Sequence, residues 1–112
     1  MQSVTSNAVA EALYNVETYT AISGLTLYKI GRIVYGQLYK AISGSSPITV
    51  GVLPAKWKPI KDCRVCFIVN VSDNPGGQFI IYHEDGLIRL YKGGGGSMSY
   101  TVVVSFSYFT ET

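Results

Sequence analysis

The 112 residues carry a net charge of only +2, and 14% of side chains are charged against about 25% in ordinary soluble domains, so the chain is one domain with a single core and a surface short of charge. No block of basic residues marks a nucleic-acid partner, and the longest apolar run, Val65 to Val69, falls far below the roughly 20 residues of a membrane span, so membrane insertion is not expected. At 47% hydrophobic residues and a mean hydropathy of +0.23, the chain is expected to cover part of its apolar surface with a partner chain.

The opening stretch MQSVTSNAVAEAL predicts a short α-helix. Thr5 or Ser6 caps it, Ala8, Ala10 and Ala12 favour it, and Val9, Leu13 and Val16 fall at helical spacing along one face. Such a helix is too short to hold alone in water, so it must lean on the domain or on copies of itself. No charged leader, apolar stretch and small-residue cleavage site occur in order, so a secretory signal is not expected.

From Leu25 to Ile42 the chain reads as long strands with bends or bulges at Gly31 and Gly36. One parity carries Tyr28, Ile30, Val34, Leu38 and Ile42 and the other Leu25, Leu27, Ile33, Tyr35 and Tyr39, so neither side is plainly wet and a second subunit is the expected cover. Pro47, Pro54 and Pro59 then punctuate a turn, a short strand and a connection. In CRVCFIVNV the residues Cys63, Val65, Phe67, Val69 and Val71 share a face, which predicts a core strand.

SDNPGG supplies a turn, and QFIIY and LIRLY flank the Asp-Gly signal of HEDG, which predicts a β-hairpin. The last strand alternates most cleanly, with Tyr100, Val102, Val104, Phe106 and Tyr108 on one face. Gly93 to Gly96 lies between the last two strands and reads as a mobile hairpin tip, although an engineered linker would look the same.

Chemistry is thinly supplied. Cys63 and Cys66 are three apart on a strand, which sends their sulfurs to opposite faces, and one His with no second Cys pair cannot complete a zinc site. His83, Glu84 and Asp85 sit in a turn, where adjacent side chains diverge into solvent. No cofactor motif is present, because the Lys of KGGGGS precedes its glycines and no helix follows. The chain is expected not to be an enzyme. Aromatic groups in or near loops are better suited to recognition, so Tyr39, Trp57, Tyr82 and Tyr91 are ligand-binding candidates. Asp73, Asn74, Gln78, His83 and Glu84 are polar rim candidates, and equally ordinary turn residues.

The segments SVTSNAVAEAL, YKIGRIVYGQL, LPAKWKP and IIYHEDGLIRLY, followed by a tyrosine-bearing last strand, occur in an order that resembles the C-terminal head domains of bacteriophage tail fibres and related prophage proteins, over roughly residues 2–109. The resemblance implies a helical shaft and trimerisation segment over residues 1–20, with Val9, Leu13 and Val16 in its seam. Residues 21–112 would form a jelly-roll-like antiparallel β-sandwich head. It further implies a homotrimer at the tip of a fibre, on a virion or tail-like particle, that binds a bacterial surface glycan or protein for host attachment. The alternative is a structural trimerisation cap with no specific ligand. No ligand residue carries over from the family to this chain.

Overall fold

A computed structural model of the chain describes residues 16–67 and 76–112, the side chain of Tyr100 excepted. The elements are β1 (Glu17–Ile22), β2 (Leu25–Ile30), β3 (Ile33–Ser45), β4 (Ile48–Val52), a 3₁₀ turn (Ala55–Trp57), β5 (Cys63–Phe67), β6 (Gly77–Ile81), β7 (Leu87–Lys92) and β8 (Ser97–Phe109). They form two antiparallel four-stranded sheets, a first of order β1-β2-β3-β8 and a second of order β4-β7-β6-β5. The all-β, antiparallel class expected from alternation is what the chain adopts.

Period-two alternation decides which side chains meet between the sheets. Leu25, Leu27, Val34, Leu38, Val102, Val104 and Phe106 turn inward from the first sheet and meet Phe79, Ile81, Ile88 and Leu90 of the second. The rings of Phe79 and Phe106 stack across the interface at 4.9 Å. Truncating one such buried Leu or Ile to Ala costs about 2–5 kcal/mol. Close approach at Gly36 completes this surface: a Cβ there would stand 2.7 Å from Leu27 Cδ2 and 3.0 Å from the Phe106 ring.

Several expectations are corrected. The helical segment expected to run through residue 20 gives way to strand at Glu17, because Thr18, Tyr19 and Thr20 are β-branched or aromatic and Tyr19 reaches inward to stack on Trp57 at 5.4 Å. Val16 lies just before β1, half-buried and outside any helix; Val9 and Leu13 lie outside the described residues. Gly31 is a hairpin turn with φ of 61°, not a bend within one strand. That turn reverses the parity, pairing Tyr28 with Tyr35 and Leu27 with Gly36, so the two aromatic rows that looked opposed share the outer face.

The strand CRVCF does face the core, with Cys63 and Phe67 buried and Val65 packed against them, and it takes the edge of the second sheet. Gly93 to Gly96 does not tip a hairpin, since β7 belongs to the second sheet and β8 to the first, and the glycines carry the chain across. Among the described residues the other crossing joins β3 to β4, and Ser46 N donates to Gly96 O at 2.8 Å where the two run side by side. Two crossings leave each sheet built mainly from local hairpins.

Candidate functional site

On the outer face of the second sheet, register sets the side chains in rows. Arg64 of β5, Ile80 of β6, Arg89 of β7 and Thr49 of β4 lie in one row, and Cys66, Gln78 and Tyr91 in the next. Tyr82, which follows β6, belongs to the row on the other side, where its N–H donates to Leu87 O. The backbones of Tyr82 and Tyr91 are thus about 13 Å apart along the strand direction. Their phenols nevertheless meet, with hydroxyl oxygens 2.6 Å apart. They reach over the row between them. This explains why Ile80, outside the inter-sheet core, is only 2% exposed.

Arg89 is held in the same cluster. Its Nε donates to Thr49 Oγ1 at 3.2 Å and its guanidinium lies 5.8 Å from the Tyr82 ring centroid. A guanidinium only donates, so the Tyr91 oxygen accepts from Arg89, while either phenol can donate in the Tyr82–Tyr91 bond. The Tyr82 bond and then Arg89 lower the Tyr91 pKa, whereas the bond to Tyr91 and then burial raise that of Tyr82. The shared bond uses one of the two phenol protons, so the pair keeps the other to donate elsewhere. Among the described residues Arg89 has no ion-pair partner, with Asp85 near enough to act only through space. Arg64 has Asp62 at 3.6 Å and stays 57% exposed.

The structure thus brings three predicted candidates, Gln78, Tyr82 and Tyr91, onto one surface. The others disperse. Tyr39 is 65% exposed on the outer face of the first sheet, opposite Val103. Trp57 is corrected from a loop ligand group to a core residue: it is 5% exposed, stacked on Tyr19, with the Lys29 ammonium 5.8 Å from its ring. Lys29 is itself buried and donates to Lys56 O and to Thr112 O; desolvation lowers its pKa, and Glu17 opposes that shift. His83 is exposed in the β6–β7 turn, its N–H donating to Asp62 Oδ1 and its Nδ1 2.7 Å from Pro59 O. Asp73 and Asn74 lie outside the described residues.

Beside His83 a cleft of about 400 Å³ is lined by Ala55, Lys56, Lys58, Pro59 and Glu84. Several of its polar groups already serve one another or their neighbours: Lys58 donates to Glu84 O, Lys56 pairs with Glu17, and His83 is bound at Pro59. Among the described residues no three His, Cys, Asp or Glu side chains gather as metal ligands. Cys63 is buried and Cys66 exposed, both free, as the strand spacing predicts; burial raises the Cys63 pKa.

The outer face of the first sheet is different in kind. Tyr28, Ile33, Tyr35, Tyr39, Val103 and Phe109 are all well exposed there, with Tyr28 and Tyr35 stacked at 5.2 Å. Arg64, Arg89 and Thr49, by contrast, are site residues that motif reading passes over. Their signal is the alternation in LIRLY, which sets Arg89 on the same side as Tyr91. Compared with protein-family models, curated proteins and solved structures, the chain matches none.

Proposed function

We propose that the chain is the distal head domain of a phage tail fibre, a non-enzymatic module that binds a bacterial surface receptor. The resemblance in the sequence supplies the viral reading. The observation that carries the binding role is the gathering of Gln78, Tyr82, Tyr91 and Arg89 on one outer face, with a phenol proton and a guanidinium left to donate. Rigid aromatic groups beside a charged donor are efficient recognition elements, and threefold copies would add avidity to a weak single contact. The trimer, and with it a jelly-roll-like family relationship, remains part of this proposal.

The exposed apolar outer face of the first sheet favours assembly from identical copies, and it also supports the second reading, a structural cap that locks a trimer and binds nothing specific. Binding of the assembled chain to whole bacterial cells separates the two. Signal that falls at least tenfold in Tyr91→Ala, with the assembly unchanged, supports the receptor-binding head. Silence on cells, together with failure of fibres to assemble when the domain is deleted, supports the cap. Sedimentation equilibrium should give about three chains per particle, and Leu13→Asp should weaken assembly; a single-chain mass at high concentration overturns the trimer.

A further inference from the structure

We infer that the outer face of the second sheet takes an acidic sugar, its ring lying against the Tyr82–Tyr91 pair and its carboxylate or phosphate on Arg89, with Arg64 receiving a second acidic group. This deepens the receptor-binding reading above and rests on it.

Charge complementarity carries the choice of ligand. Arg89 is oriented by Thr49 and Tyr91 through neutral oxygens, so its positive charge is fixed in direction without being neutralised by contact. A guanidinium fork matches a carboxylate or phosphate, and the one phenol proton that the Tyr82–Tyr91 bond leaves unshared adds a third donor on the same side. Arg64 stands two strand spacings from Arg89 across Ile80, about 9.5 Å at the backbone. Two adjoining sugar units span that distance. Asp62 and Asp85 are the carboxylates near the cluster, and only Asp62 touches a guanidinium of it.

An acidic peptide would satisfy the same charges, but peptide recognition draws most of its energy from apolar anchors in desolvated pockets. None opens here: Ile80 is sealed at 2% exposure under the two phenols. What the surface offers is flat ring area edged by hydrogen-bond donors and by Gln78, which suits a ring bearing hydroxyls and one negative group.

The test is titration of the full chain with an oligogalacturonate and its methyl ester, and with a phosphorylated oligosaccharide and its dephosphorylated form. A glutamate-rich peptide is the comparison. The acidic form of at least one pair should bind about tenfold or more tightly than its neutral form, the size expected for one charge-assisted contact. Arg89→Gln should erase that difference and Arg64→Gln reduce it, with thermal unfolding of both variants unchanged. Which pair discriminates identifies carboxylate or phosphate as the acid. Equal binding of acidic and neutral forms, binding of the peptide alone, or binding of none overturns the inference. If whole-cell binding persists beside any of those results, the receptor-binding head still stands; if it vanishes too, both fall.

Discussion

The two outer faces of this sandwich come from the same alternation and carry opposite chemistry. On the first sheet the outward positions include Tyr28, Ile33, Tyr35, Val103 and Phe109, large apolar side chains set among uncharged hydroxyls and amides such as Gln37, Ser105 and Ser107. On the second they are Arg64, Gln78, Arg89, Tyr82 and Tyr91, with Ile80 covered by its neighbours and Val52 exposed at the β4 edge. The first face has reason to leave water by meeting a like surface, whereas the second spends its apolar group internally and keeps its polar ends outward. A low overall charge conceals this division, because it averages a face nearly without charge with one that holds two guanidiniums.

Charging the first face should break the contrast most strongly. Tyr35→Lys with Phe109→Lys is expected to cost about 4 kcal/mol or more of association free energy, as loss of buried aromatic anchors does. Sedimentation should then report single chains, with each chain losing only about 1 kcal/mol of stability through the Tyr28–Tyr35 stack. Lysine at Val52, exposed on the second sheet, should leave the mass unchanged. Equal dissociation by both would mean that the faces are not distinct.

Next in size is Gly77→Ala. The added Cβ would lie 1.9 Å from Tyr91 O and 2.9 Å from the Phe67 ring, so β6 could no longer sit beside β7. Urea unfolding should show a loss of about 3 kcal/mol. A midpoint at the wild-type value would contradict the register on which the Tyr82–Tyr91 contact depends.

A smaller change probes the interior beneath both faces. Tyr108 Oη donates to Trp57 O at 2.6 Å, so Tyr108→Phe strands a buried carbonyl at a cost of about 1–2 kcal/mol at neutral pH. Burial also raises the Tyr108 pKa well above its ordinary 10.0. Above that value the unfolded chain releases this proton while the folded chain keeps it, so stability falls as pH rises; below it the group contributes no slope. Cys63 acts in the same direction, and Lys29, with its pKa lowered, acts in the opposite one between its folded value and 10.5. The difference between wild type and Tyr108→Phe therefore isolates the tyrosine. It should shrink above about pH 10, and a constant difference would remove the claim that burial holds that proton.

Local pattern made much of this legible. Clean alternation marks β8, and the Asp-Gly turn marks the β6–β7 hairpin, because both depend on neighbours within a few residues. Pairing across the chain is not local. Nothing in KGGGGS says that β8 will lie beside β3 rather than β7, and a run apolar on both parities conceals a turn at Gly31 until the register is known. Trp57 misleads for a related reason. It sits in a proline-bounded loop, but Tyr19 and Lys29 come from β1 and β2 to enclose it. The site is half legible: Gln78, Tyr82 and Tyr91 stand out by type, whereas Arg89 acquires its role only from Thr49, 40 residues away.

The hydrogen bond between Ser46 and Gly96 makes the positions between them a closed excursion whose two ends are neighbours. The candidate ligand groups lie inside that excursion, and the exposed apolar side chains of the first sheet lie outside it. In the proposed trimeric head, provided the inward alternate residues are retained, the excursion could be re-surfaced for a new host without renegotiating the contact between copies. Specificity and architecture would then diverge at separate rates within one small domain.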